Sequence, residues 1–356
     1  MKVQPHDVAL DPNLNPSPSP SPSPSPNPSQ VQPHEVVLEH REGKKLTLTQ
    51  VFEEMGLDPY DLNLASLGMD GAGSGNGSSF ASLDKFSLKY NPMGKSPVGR
   101  VFLRQENLLH GRYFAELTRE LFDNLEECKY QNSEYRLSVF GVERDEWDRL
   151  AAWVVDHQLY SQNNRWIVQV PRLYGLYHAR GKVASFEQWL ANLFGPLFEV
   201  AADPASHPKL HLFLQQVVAF DCVGDESRAE SALPSPTSPA PPPADWARGN
   251  PHFAYYCYYL YANLHVLNSL RSAQGMHPFC FRPHAGEAGE LNHLHAAYLT
   301  ARGISHGLGL RRTPSLQYLY YLSQVGVSMS PIANNALCLQ LAKNPFDEYF
   351  AVGLSV

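Results

Sequence analysis

From Arg136 onward, short runs rich in β-branched and aromatic residues alternate with longer stretches of helical period, and no other feature limits the fold so tightly. Parallel strands need long crossovers and a helix usually makes them, so this alternation predicts a parallel sheet wrapped by helices. Six strands are expected: Arg136 to Phe140, Trp166 to Val170, Val217 to Cys222, Phe279 to Arg282, Gly303 to Ser305 and Val325 to Met329. Helices are expected around Asp145 to His157, Phe186 to Phe198, His252 to Arg271, Glu290 to Arg302 and Pro314 to Gln324. Polar or charged residues follow several strand ends: Gly141 and Arg144, Arg172, Asp221 and Asp225, His284 and Glu287, and His306. In a parallel α/β barrel that rim carries the catalytic groups.

The rest of the chain is organised by composition. Asn15 to Gln30 alternates Pro and Ser almost strictly, which favours polyproline II and offers nothing to bury. No basic residue flanks it as a docking end, so it reads as a solvated spacer and not as a ligand for an SH3 or WW domain. Residues 1–45 are therefore expected to be a disordered Pro/Ser-rich tail, and 46–134 a helical and loop segment with a flexible Gly71 to Ser79 loop. A partial barrel is expected over 135–356, with a Pro-rich insertion at 231–244. Hydrophobic residues at 43% suffice for a core, while 28 Lys+Arg against 35 Asp+Glu, a net charge of −7, argue against a non-specific nucleic-acid binder. There is no apolar leader and no run of about 18 uncharged apolar residues, so neither signal peptide nor membrane span is expected, and the cytosol is the expected compartment. Cys128, Cys222, Cys257, Cys280 and Cys338 are scattered, without a C-x-x-C pair, and read as buried thiols.

The densest polar cluster is Phe279-Cys-Phe-Arg-Pro-His284-Ala-Gly-Glu287-Ala-Gly289. A strand delivers His284, and a Gly-containing turn offers Glu287 three residues later, so an imidazole could hold a metal while the carboxyl handles protons. His306 follows the next strand, and His at two consecutive strand ends suits a zinc hydrolase that needs a ligand and an electrostatic partner. His293-Leu-His295 lies in an expected helix, where residues two apart face opposite sides, and reads as a helix-surface pair. His207 and His211 flank a helix start at Pro208 and read as helix-end residues. The paired H-x-E and C-x-x-C signature of cytidine-type zinc deaminases is absent, since the chain has no C-x-x-C.

FRPHAGEAG followed by ISHG resembles the adenosine and AMP deaminase family of metal-dependent hydrolases. Further segments narrow the resemblance to its AMP deaminase branch: LTLTQVFEEMGLDPYDL, DKFSLKYNP, EECKYQNSEYRLSVFG, RDEWDRLAAWVV, RWIVQVPRL, FDCVGDES, SLQYLYYLSQ and MSPIANNAL, in that order between about Leu46 and Val356. The resemblance implies a (β/α)8 TIM-type barrel and a zinc-dependent hydrolysis of AMP to IMP and ammonia in purine nucleotide metabolism and salvage. It implies His284 as a zinc ligand, Glu287 as the acid that protonates N1 of adenine, and His306 as the group that activates or stabilises a zinc-bound hydroxide. It also implies that Lys85, Phe86, Ser87, Leu88, Lys89, Tyr90 and Asn91 form the substrate-binding stretch, with Lys85 and Lys89 as cations for the 5′-phosphate. A homo-oligomer is within the family's habit.

The same resemblance implies four zinc ligands: two His in an H-x-H on the first barrel strand, His284, and an Asp in an S-T-D-D-P run on the last strand. Only His284 is found here. The expectation is accordingly an incomplete barrel with about six of eight strands, lacking the first strand, most of the last and three of the four ligands, with sheet edges exposed at Arg136 to Phe140 and Val325 to Met329. The competing reading is a catalytically inactive family member that binds nucleotide or associates with a complete subunit.

Overall fold

The computed structural model describes residues 33–39, 44–58, 97–128, 130–228, 230, 239–246, 249–337 and 339–356. The Pro/Ser tract, the Gly71 to Ser79 loop and the Lys85 to Asn91 stretch lie outside these residues, as does most of the 231–244 insertion.

The described chain begins with a small antiparallel pair, β1 (Val36–Glu39) and β2 (Lys45–Thr47), followed by α1 (Leu48–Met55). Thr47 starts α1 through a reciprocal cap: its hydroxyl accepts from the Gln50 amide, and the Gln50 side chain accepts from the Thr47 amide. Val37, Leu38, Leu46 and Val51 pack with Val101 of α2 (Pro97–Phe102) in a cluster of their own. Ordered structure thus reaches into residues 33–39, which corrects the reading of 1–45 as tail throughout. The Val36-Val37-Leu38 run buries two side chains once Leu46 returns beside it.

After α3 (Arg112–Glu127), strands and helices alternate as the sequence pattern required. The strands are β3 (Ser133–Ser138), β4 (Asn164–Pro171), β5 (Val217–Val223), β6 (Cys280–Phe281), β7 (His284–Ala285), β8 (Gly303–His306) and β9 (Gly326–Ser328). Every pairing among them is parallel, in the series β3-β4-β5-β6 and β7-β8-β9. The two series share one strand. β6 and β7 are pieces of a single crossing, interrupted at Arg282 and Pro283, where proline has no N–H to give. The ladder runs on through the break, with the Arg282 amide donating to Phe220 O at 2.7 Å and the Ser305 amide donating to Pro283 O at 3.0 Å. Six parallel strand positions result, matching the expected six in number and order.

The helices cover the outer face. They include α4 (Glu146–Asp156), α5 (Tyr174–Ala179), α6 (Phe186–Ala202), α7 (Pro208–Leu214), α8 (Phe253–Ala273), α9 (Asn292–Thr300), α10 (Pro314–Ser323), α11 (Pro331–Leu337) and α12 (Phe346–Ala351). The core between sheet and helices is aromatic. Trp147, Trp189, Phe186 and Tyr256 are fully buried, and the indole N–H groups of Trp147 and Trp189 donate to Leu193 O and Phe140 O, each at 2.8 Å. Among the described residues no helix is long and apolar enough to cross a membrane.

The sheet curves as a barrel wall does. Arg136 on β3 reaches across the concave face to Asp221 on β5 (Nε to Oδ2, 2.8 Å) and to Ser305 on β8 (2.8 Å). The barrel does not close among the described residues. The β9 edge is less bare than expected, because the Val327 amide donates to Ser355 O at 2.7 Å. Along β3 a cavity of about 490 Å³ opens, bounded by Arg136, Ser138 and Gln169 on the sheet and by Arg104, Phe114 and Tyr177.

Candidate active site

Three consecutive strand ends supply the site. β5 carries Asp221, a side chain with no solvent exposure, two residues before its end at Val223. Burial alone would raise its pKa, but its contacts with the His284 ring and the Arg136 guanidinium outweigh that and hold it below the ordinary carboxylate range. Asp221 grips His284 doubly: Oδ1 accepts from the His284 amide at 2.9 Å, and Nδ1 of the ring lies 2.9 Å from Oδ1 and 2.8 Å from Oδ2. A carboxylate on Nδ1 places the ring proton there and the lone pair on Nε2, the tautomer a metal ligand needs.

The turn after β7 carries Glu287. Glu226, on the loop after β5, accepts the Gly286 amide at 2.7 Å and the Glu287 amide at 3.2 Å on the same oxygen. Gly289 closes the turn at φ +67°, and a Cβ there would fall 1.8 Å from the Glu226 carbonyl oxygen. Only glycine allows the two loops to meet so closely. The Glu287 carboxyl is buried, and its pKa is pushed up to about 7 by that burial, with Glu226 adding to the rise and His284 and Asn334 opposing it.

His306 ends β8 at φ +73°, the left-handed region that residues with a Cβ seldom occupy, and Gly307 follows at +60°. This kink lifts the ring off the strand. Its Nδ1 lies 3.4 Å from Glu287 Oε1 and 3.0 Å from the Asn334 side-chain nitrogen, and the rings of His306 and His284 are 5.0 Å apart. Burial first, and the neighbouring His284 second, push the pKa of His306 down to about 3. The site therefore pairs a carboxyl that keeps its proton near neutrality with an imidazole that stays neutral. Such a pair suits proton transfer and hydrogen-bond donation in a dry pocket.

Of the expected rim residues, Asp221, His284, Glu287 and His306 come together. The others do not. Arg144 pairs with Glu199 on the surface, Asp225 accepts from its own loop at Ser227, and Arg172 pairs with Glu230 beneath the rim. His293 is corrected from surface residue to core: it is buried, with Nδ1 3.4 Å from Glu226 and Nε2 3.2 Å from Glu230, while His295 is on the exposed side. Its pKa is raised, since those two carboxylates outweigh the burial that would lower it. His207 precedes α7 as expected and pairs with Asp148 at 2.8 Å. Glu226 and Asn334 were not singled out by spacing. Their only sequence signal is membership of the FDCVGDES and MSPIANNAL segments.

Among the described residues no group of three His, Cys, Asp or Glu could hold a metal ion, so they do not amount to a zinc site. They offer one ligand, His284, already in the required tautomer.

A family model for AMP deaminase matches residues 27–356. The probable AMP deaminase of Oryza sativa subsp. japonica is 50% identical over 326 residues, covering 91% of this chain and 39% of that protein. The AMP deaminase of Arabidopsis thaliana is 50% identical over 326 residues, covering 91% and 38%. AMP deaminase 3 of Homo sapiens is 46% identical over 328 residues, covering 92% and 42%. The chain thus spans about two fifths of the length of the curated relatives it matches. A crystal structure of adenine deaminase from Arthrobacter aurescens aligns with a TM-score of 0.45 at 14% identity, covering 85% of this chain and 73% of that one.

Proposed function

The chain belongs to the AMP deaminase family, and on that premise we propose that it supplies one wall of the active site of an enzyme that hydrolyses AMP to IMP and ammonia. The observation that carries the reading is the convergence of Glu287 and His306, 3.4 Å apart and oppositely tuned, beside an Asp221-anchored His284. Deamination replaces the 6-amino group by oxygen. Adding water across the C6–N1 bond puts a proton on N1, and a carboxyl with a pKa of about 7 is protonated often enough to give it. His306, neutral and buried, can hold a hydrogen bond to the incoming oxygen without competing as an acid.

Zn2+ is the metal this reading calls for, and His284 is the side chain this chain contributes to it. The ligand set is not complete among the described residues. Lys85 to Asn91 keeps its proposed role as the substrate-binding stretch, with AMP as the partner; a cytosolic homo-oligomer belongs to the same reading.

A second reading is a member that binds nucleotide without turning it over. Ammonia release from AMP by the protein purified from its source, with its zinc content and intact mass, separates the two. Turnover that Glu287→Gln abolishes while bound zinc is retained supports the enzyme. AMP binding without ammonia release establishes the inactive member instead.

A further inference from the structure

We propose that Asn334 is a positioning residue shared by His306 and Glu287, whose single side-chain nitrogen decides which ring nitrogen of His306 carries the proton. That nitrogen lies 3.0 Å from Nδ1 of His306 and 3.3 Å from Oε1 of Glu287. An amide NH2 has two hydrogens to donate and no lone pair to accept with, so Nδ1 of His306 must be the acceptor. The proton of the neutral ring is then on Nε2.

Glu287 sets the orientation of the amide. Turned over, Asn334 would face its carbonyl oxygen toward Glu287 Oε1 and lose that hydrogen bond whenever the carboxyl is ionised, and Nδ1 of His306 would then have to carry the proton. Asn334 is fully buried, and its Oδ1 has no hydrogen-bond partner among the described residues, so the nitrogen alone holds the side chain in place. The backbone is pinned on both sides: the Asn334 amide donates to Ser330 O and its carbonyl accepts from Leu339, each at 2.9 Å. The left-handed backbone at His306 swings the ring out of the strand's regular path, so the strand does not dictate its aim. Asn334, arriving on α11 from the next strand–helix unit, does.

The contrast with His284 supports this division of labour. There a carboxylate on Nδ1 leaves the lone pair on Nε2; at His306 an amide donor on Nδ1 leaves an N–H on Nε2. Two neighbouring imidazoles are held in opposite tautomers, one able to give electrons and the other to give a hydrogen bond.

The test is long-range proton–nitrogen NMR of the full chain labelled with 15N-histidine, the His306 signals being assigned from His306→Gln. An Nε2–H tautomer in the wild type, which moves to Nδ1–H in Asn334→Asp, is the expected result. An Nδ1–H tautomer in the wild type overturns the proposal, and that spectrum decides even if the variant fails to fold. A tautomer unmoved in folded Asn334→Asp overturns it equally. The consequence for turnover rests on the deaminase reading: kcat should fall by about 10- to 100-fold with KM nearly unchanged. A wild type that lacks deaminase activity counts against that reading and leaves the tautomer result standing.

Discussion

Asp221 binds His284 through backbone and ring together, its Oδ1 lying 2.9 Å from both the amide nitrogen and Nδ1. One carboxyl oxygen therefore fixes where the strand turns and how the imidazole at its end is rotated. Arg136 holds the other oxygen at 2.8 Å, so the ring, the strand and the opposite wall of the sheet share a single anchor.

Asp221→Ala should be costly, because it leaves Arg136 without its buried counter-charge and the His284 ring without its Nδ1 partner. A loss of about 3–5 kcal/mol in unfolding free energy is expected from denaturant melts at neutral pH. Since the pKa of Asp221 is lowered in the folded state, its contribution is present above the unfolded value and is lost as pH falls through the folded one. The gap between wild type and variant should accordingly narrow in acid. A gap that widens there contradicts the assignment.

Glu287 has the opposite sign. Its folded pKa of about 7 lies above the unfolded carboxylate value, so the folded chain binds more protons than the unfolded one between them, and stability falls as pH rises through that window. The interval corresponds to a ceiling of roughly 3 kcal/mol. Glu287→Gln, neutral at every pH, should be more stable than the wild type at pH 8 and lose that advantage at pH 4. Equal stability of the two proteins at pH 8 would show that the carboxyl is not desolvated.

Gly289→Ala should destabilise by at least about 2 kcal/mol, through its left-handed backbone and the collision with the Glu226 carbonyl. Thermal melts read the loss directly. Because the displaced loop carries Glu287, any activity should fall further than the stability loss alone explains.

Glu226→Ala removes the acceptor for the Gly286 and Glu287 amides and leaves His293 facing Glu230 alone. A loss of about 3–5 kcal/mol is expected, while Glu226→Gln, which can still accept from both amides, should retain most of the stability. Similar losses in the two variants would assign the effect to the His293 ion pair instead.

The six strand positions were legible because β-rich runs and crossovers leave a strong periodic trace. The break at Arg282 and Pro283 was not marked, although the proline that causes it is plain in the sequence. His284, Glu287 and His306 were found because titratable residues past strand ends stand out. Asn334 was not, since a neutral amide in a helix has no charge pattern or spacing to announce it. His293 shows a rule applied correctly and read too far: it does point away from His295, but its side is the interior, where two carboxylates from a distant loop wait. Nothing local to Asn292–Thr300 reports those partners. The Val36–Glu39 strand was hidden by its position next to a proline tract.

The bridge from Arg136 to Asp221 and Ser305 joins residues 85 and 169 positions apart. Contacts of such separation form only after the intervening chain has been organised, so this corner of the molecule belongs to the slow end of the folding reaction. A nascent chain would have its helices and early strand pairs in place while His284 still lacked its anchor. Ligand binding at the site would then report completion of folding, and any agent that occupies it would hold the folded state by mass action.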